Sequence, residues 1–269
     1  MYRIFSVMAL FAAIGQAQAH APYVAPYQFF VEGGNTPIVA GFAEGAFDSE
    51  VAIRGFEFSS VNPKGESKEL PLTNIHSISM ANLAVAEEGT YQILGQRDEK
   101  IKYANLDGRW LRVLDPKGTA LAPLKERQFI AESELKTETP QISVTRFDEL
   151  TTYLTKKKTS NLTPLTSHVK VNYSTHPSQL RKGQTVGLNV TLHNQPASKF
   201  EVKVEKKLTT VNEKEWSTEA KTDSKGKVEL KFPTQGQYIV TLLSPQNGEN
   251  AKPTGDVYRS VISLQVNDE

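Results

Sequence analysis

Lys227-Val228-Glu229-Leu230-Lys231-Phe232 alternates charged and apolar residues without a break, so one side of this segment is wet and the other dry. A period of two belongs to a strand half-buried in a sheet, whereas a helix burying one face repeats at about 3.6. The same alternation fills most of the second half of the chain. Val186, Leu188, Val190 and Leu192 share one parity, and Phe200, Val202 and Val204 alternate with Glu201, Lys203 and Glu205. Tyr238, Val240 and Leu242 carry the pattern on, and Tyr258, Ile262, Leu264 and Val266 close it. Between the runs stand turn signals at Lys182-Gly183, Asn194-Gln195-Pro196, Asp223-Ser224-Lys225-Gly226, Thr234-Gln235-Gly236 and Asn247-Gly248. Roughly seven short strands fit between His168 and the C-terminus, the pattern of an immunoglobulin-like sandwich.

The first half reads the same way with less regularity. Strand candidates are Gln28 to Glu32, Pro37 to Gly41, Phe56 to Asn62, Ile78 to Val85, Thr90 to Leu94 and Trp110 to Leu114, with turns at Gly33-Gly34, Asn62-Pro63-Lys64-Gly65, Asp107-Gly108 and Asp115-Pro116-Lys117-Gly118. The halves echo one another: a Lys-Gly turn precedes a Gly-x-Tyr strand start at Gly89-Thr90-Tyr91 and again at Gly236-Gln237-Tyr238. Glu138 to Pro164 is rich in Thr, Lys, Asn and Pro and reads as a linker, with a short helix or strand near Arg146 to Leu154. The expected fold class is all-β: two tandem immunoglobulin-like antiparallel β-sandwich domains, 20–164 including the linker and 165–269, the boundary near Pro164.

Ahead of these stands a leader. Arg3 is followed by an apolar run from Ile4 to Ile14 and then by Ala17-Gln18-Ala19, the order of charged region, hydrophobic region and small-residue cleavage site. A helix spanning a bilayer needs about 20 apolar residues, more than this run supplies. Residues 1–19 are therefore expected to be a cleaved signal peptide, with a mature chain that starts at His20, carries no transmembrane segment and works in a periplasm. The chain has no cysteine, which excludes disulfides, thiolate metal sites, covalent haem and a cysteine nucleophile. Its 31 basic residues exceed its 30 acidic ones by one, and Arg3 in the leader accounts for the difference. A neutral mature chain lacks the basic excess of a nucleic-acid binder. The one dense cationic run, Lys156 to Lys158, reads as a solvated turn.

Chemistry must then come from His, Asp, Glu, Tyr or the backbone. There are five histidines, His20, His76, His168, His176 and His193, and no two share the i, i+2 or i, i+4 spacing that one strand or helix could offer a single ion. Cleavage after Ala19 gives His20 a free α-amine beside its imidazole, a chelating pair once the amine is deprotonated; the bland alternative is a frayed terminus. Pro22 in third position excludes the square-planar amino-terminal copper and nickel motif. His176 precedes Pro177, which pushes it into an extended conformation at a sandwich edge or interdomain cleft; a turn histidine bonded to backbone is the alternative. His193 reads as a surface residue, and nothing raises His76 or His168. Glu32, Glu44, Asp48 and Glu50 lie around the Gly41-to-Phe47 loop, where hard oxygen donors could complete a site begun by His20. No H-E-x-x-H, G-x-S-x-G or phosphate-binding glycine loop is present.

Several motifs taken in order resemble a known family. They are His20-Ala21-Pro22-Tyr23, Gly41-Phe42-Ala43-Glu44 with Phe47 following, Gly89-Thr90-Tyr91, Gly108-Arg109-Trp110, Thr175-His176-Pro177-Ser178-Gln179-Leu180 and Thr222-Asp223-Ser224-Lys225-Gly226. Together the chain resembles the exported bacterial proteins catalogued as domain of unknown function 4198, often labelled nickel-transport-like periplasmic components. After Thr-His-Pro the family usually has Asn-Asp-Leu, where this chain has Ser178-Gln179-Leu180. The resemblance implies two β-rich domains and a non-enzymatic role in uptake of nickel, cobalt or iron, with copper as a further candidate. His20 and His176 are the ligand positions it carries over, and an inner-membrane permease or reductase is the partner. Two other readings stay open: a structural or protein-binding tandem sandwich without metal, and a copper enzyme using an N-terminal histidine.

Overall fold

A computed structural model describes residues 21–116, 121–210 and 212–268, and the alternating runs of the second half are strands in it: Thr185–Leu192, Glu201–Lys206, Lys227–Lys231, Gly236–Leu243 and Val257–Val266. The leader expected at 1–19 lies outside the described residues. Among the described residues there are strands and three single-turn 3₁₀ segments, with no α-helix, and no helix long and apolar enough to cross a membrane. The all-β sandwich class holds.

Three sheets form the layers. A five-stranded sheet orders Ala21–Pro26, Asn35–Ala43, Ile78–Ala84 and Thr73–Ile75, with Ser49–Ala52 also paired to Asn35–Ala43. A four-stranded sheet gathers Val169–Tyr173, Thr185–Leu192, Gln195–Pro196 and Lys227–Lys231. Between them runs an eleven-stranded sheet whose main path is Phe129–Ala131, Arg109–Leu114, Gly89–Leu106, Gln141–Lys156, Val257–Val266, Gly236–Leu243, Glu201–Lys206 and Ser217–Lys221. This sheet continues past the boundary expected at Pro164. Gln141–Lys156 pairs in parallel with Val257–Val266 from Arg146↔Val257 to Thr152↔Ser263.

The middle sheet serves a different core on each face. Leu150, Leu154, Ile239 and Val261 point into a core with Tyr23, Val24, Ile38 and Ile93. Their chain neighbours Tyr153, Val240 and Ile262, together with Leu264, point into another with Leu188, Phe200 and Phe232. Period-two geometry is what sends adjacent residues to opposite cores.

The segment read as a linker with a short element is, in the structure, the sixteen-residue strand at the centre of this sheet. It pairs with Gly89–Leu106 over its whole length, from Gln141↔Ala104 to Lys156↔Gly89. Its alternation is masked because buried polar residues stand where apolar ones are expected. Asp148, Glu149, Thr151, Thr152 and Thr155 are all buried, and they hold partners: Thr155 Oγ1 with Thr90 Oγ1 at 3.0 Å, and Thr152 Oγ1 donating to Ser263 O at 3.0 Å. On the first-core face, two residues before Leu150, the row becomes ionic. The Asp148 carboxylate is fully buried and accepts from Arg97 at 2.6 Å, Arg259 at 2.8 Å and Arg146 at 3.2 Å. Burial alone would raise its pKa, but the Arg259 and Arg146 charges and the bonds from Arg259 and Arg97 outweigh that and hold it below the usual range.

The echo between the halves is geometric. Asn62 Oδ1 accepts the amides of Lys64 and Glu66 while Gly65 N donates to Asn62 O. Asp223 Oδ1 accepts those of Lys225 and Lys227 while Gly226 N donates to Asp223 O. Gly89 (φ 135°) and Gly236 (φ 139°) then open strands in a region that L-residues avoid. The tyrosine two residues on reaches back four residues: Tyr91 Oη accepts from Glu87 N at 2.8 Å, and Tyr238 Oη donates to Thr234 O at 2.7 Å. Each is a tyrosine corner of the sort that ties sandwich strands to the preceding loop. Tyr91→Phe and Tyr238→Phe should each lower the stability measured by chemical denaturation by about 0.5–1.5 kcal/mol, the net worth of one buried hydrogen bond, with the spectrum of the folded state unchanged.

Candidate functional site

Pro177 fixes its predecessor as extended, and His176 (φ −52°, ψ 131°) accordingly heads the 3₁₀ turn Pro177–Gln179 as its N-cap. Ser178 N–H donates to His176 Nδ1 at 3.2 Å, and His176 Nε2 bonds Ser160 O at 3.1 Å. Nδ1 accepts and Nε2 donates, so the pair of bonds selects the neutral Nε2–H tautomer. Partial burial lowers the imidazole pKa, and the Ser160 carbonyl only partly offsets it. His176 is thus a strap between the turn and the 157–164 segment. Both ring nitrogens of this expected ligand are thus hydrogen-bonded within the chain.

The other expected ligand, His20, lies outside the described residues. Its covalent neighbour Ala21 opens the edge strand Ala21–Pro26 and pairs with Ala43, the residue before Glu44. What shapes the loop beyond Ala43 is the close return of the chain: Gly41↔Ala52 and Phe42↔Val51 pair, and a Cβ on Gly41 would lie 1.8 Å from Ser49 Oγ. Glycine alone permits that approach. Tyr23 anchors the loop from below, its ring 5.4 Å edge-on from Phe47 and its hydroxyl donating to Phe47 O at 3.4 Å.

Glu44, Asp48 and Glu50 line one wall of a cleft of ≈ 840 Å³, with Glu205, Glu215 and Trp216 on the other. Of the lysines there, Lys203 is paired with Glu205 at 2.8 Å and Lys206 with Glu213. Lys207 sits 5.8 Å from the Phe47 ring. The cleft wall beside Ala21 is therefore carboxylate-rich. His176 is linked to the chain beyond the edge strand's far end: Ser160, its partner, bonds Thr90, Thr90 bonds Thr155, and Thr155 N donates to Phe29 O, three residues past Pro26. A six-residue strand spans about 17 Å, so the fold does not bring His176 toward Ala21.

It does join two histidines that no spacing announces. The rings of His168 and His193 lie 5.3 Å apart, edge to face, in a cluster with Tyr258 and Phe147. His193 Nε2 bonds Tyr258 Oη at 3.1 Å. The backbone N–H of His168 donates to Glu149 Oε1 at 2.6 Å and His193 N donates to His168 O at 3.1 Å, which fixes both residues at the top of neighbouring strands. His76 is exposed in a turn with φ 52°. Among the described residues no group of three or more His, Asp or Glu is placed to hold a metal ion.

A family model described as a domain of unknown function (DUF4198) matches residues 17–245. No curated protein matches the chain. Among solved structures, a DUF4785 family protein from Legionella pneumophila is 12% identical with a TM-score of 0.24, over 82% of this chain and 51% of that one. This chain thus spans about half the length of the Legionella protein. Two fibronectin type-III domains of chicken tenascin are 11% identical with a TM-score of 0.20, over 88% of this chain and 97% of theirs. The D0-D1 domain of intimin is 13% identical with a TM-score of 0.20, over 90% and 96%. At scores of this size no residue correspondence is drawn.

The strap gives a pH signature. Because the folded pKa of His176 is lowered, the unfolded chain binds more protons near that pH, and stability must rise with pH across the window. Stability is expected to fall as pH drops below about 6.5, the unfolded imidazole value, as the proton gained at Nδ1 breaks the Ser178 bond. In His176→Ala this slope should be lost, measured as denaturation midpoints from pH 7.5 to 5.

Proposed function

The chain belongs to the DUF4198 family, and we propose that it binds a divalent transition metal outside the cytoplasm and passes it to an inner-membrane permease or reductase. The observation that carries this reading is the pairing of Ala21 with Ala43. That pairing sets Ala21 opposite Ala43, at the start of the loop whose Glu44, Asp48 and Glu50 line one wall of the cleft. Were the leader removed after Ala19, His20 would begin the chain as the covalent neighbour of Ala21 and would offer an α-amine and an imidazole as donors. One nitrogen chelate with carboxylates suits a borderline ion such as nickel, cobalt or ferrous iron, and accepts copper.

The described residues do not close such a site by themselves, so His20 is indispensable to the proposal. His176 drops out of the ligand set because its two nitrogens are spent on Ser160 and Ser178. A moderate affinity follows from a site built on two nitrogens and exposed carboxylates, and it suits a protein that must release its ion to a partner.

Calorimetric titration of a protein beginning at His20 with Ni²⁺, Co²⁺, Cu²⁺ and Fe²⁺ tests the reading. Binding of one ion per chain is expected. Affinity should fall tenfold or more, about 1.4 kcal/mol, in His20→Ala and in a Glu44→Gln, Asp48→Asn double variant, and stay unchanged in His176→Ala. Affinity that survives His20→Ala but is lost in His168→Ala or His193→Ala would move the site to the His168–His193 pair, and no binding at all would end the metal proposal.

A further inference from the structure

The ionic row on the first-core face of the middle sheet is not balanced. Around Asp148 and Glu99 stand four guanidinium groups: Arg97, Arg146 and Arg259 on Asp148, and Arg97, Arg146 and Arg112 on Glu99, the Arg112 contact at 2.7 Å and the Arg97 contact at 3.2 Å. Four cations against two carboxylates leave an excess of two positive charges in a network whose side chains are at most 35% exposed. Lys252 adds a cation over the Trp110 ring, 5.6 Å from its centroid and two residues from Arg112 along the same strand face.

Donors are left over as well as charge. Arg97 Nε is buried and has no hydrogen-bond partner. Arg259 is held to Asp148 through its Nε. Arg97 is held flat by two rings, its guanidinium carbon 4.8 Å from the Phe56 centroid and 5.4 Å from that of Phe42. Stacking of this sort fixes a guanidinium plane and aims its edge. Burying unmatched cations is costly unless a counter-charge arrives, and planar forked donors match the oxygens of carboxylate and phosphate.

We infer that Arg97, Arg112, Arg146 and Arg259 form a binding site for a small oxyanion carrying about two negative charges, a dicarboxylate or hydrogen phosphate, on the sheet face beyond Phe42 and Phe56. Asp148 and Glu99 keep the four guanidinium groups converged; the anion supplies the missing charge. The site uses none of the residues of the metal proposal and stands or falls without it.

Thermal unfolding and calorimetry with succinate, citrate and phosphate, each against sodium chloride at equal ionic strength, test the inference. At least one of the oxyanions should bind one per chain and raise the unfolding midpoint beyond chloride, since a ligand that prefers the folded state stabilises it; which of them does so identifies the source. Arg112→Gln removes a half-exposed rim donor without uncovering Asp148, and should weaken binding tenfold or more. Glu99→Gln separates a binding site from a purely structural network: it removes a competing carboxylate, so it should tighten anion binding even as it lowers the midpoint without anion. Stabilisation equal to that of chloride, or an affinity unmoved by Arg112→Gln and unimproved by Glu99→Gln, would overturn the site.

Discussion

Everything in this molecule hangs on a sheet whose central strands are dry on both faces. A strand with one face wet needs one apolar parity; Gln141–Lys156, Val257–Val266 and Gly236–Leu243 need two, because Leu154, Val261 and Ile239 enter one core while Tyr153, Ile262 and Val240 enter the other. Each fully buried aliphatic side chain contributes roughly 1.5–3 kcal/mol, and in these strands successive residues contribute to different cores. Neither sandwich keeps a complete wall if the other is taken away. The parallel pair that joins them, Gln141–Lys156 with Val257–Val266, is also non-local: the whole second half of the chain is threaded between its two strands. Closing such a pair late is the slow step expected of a fold rich in long-range contacts.

That double burial explains what was legible in the sequence and what was not. Strands with one wet face, such as Glu201–Lys206 and Lys227–Lys231, show clean alternation and are found where it predicts them. Gln141–Lys156 shows none, because Thr152 and Thr155 stand in for apolar residues by bonding to Ser263 and Thr90, and Asp148 and Glu149 are buried with partners of their own. Ala21–Pro26 was equally hard to see, since Pro22 and Pro26 weaken any strand reading; the structure tolerates them at a sheet edge, where a missing N–H costs no ladder bond. The Gly-x-Tyr echo proved more informative than its length suggests, because each tyrosine closes a corner through its hydroxyl.

Site chemistry was legible only in part. The pre-proline position of His176 announces an extended residue at a turn, yet which ring nitrogens are occupied depends on Ser160 and Ser178, and Ser160 is sixteen residues away. His168 and His193 meet because their strands are neighbours, which no spacing encodes. The arginines are plainer in the fold than in the sequence for the same reason: Arg97, Arg146 and Arg259 sit on three different strands and converge through register alone. The arginine row belongs to the middle sheet and the Glu44 loop leaves the five-stranded sheet after Ala43, while Phe42 of the five-stranded sheet lies against Arg97. The middle sheet thus holds the cores together and positions the arginine row.

If the shared sheet is one structural unit, the two halves must unfold together. The chain carries one tryptophan in each, Trp110 and Trp216, so Trp110→Phe and Trp216→Phe leave a single reporter in either half. Denaturant unfolding followed by fluorescence should give coincident midpoints and slopes for the two variants, the mark of one cooperative transition. Two separated transitions, with one tryptophan reporting loss of its half while the other stays native, would contradict a sheet whose two faces depend on each other.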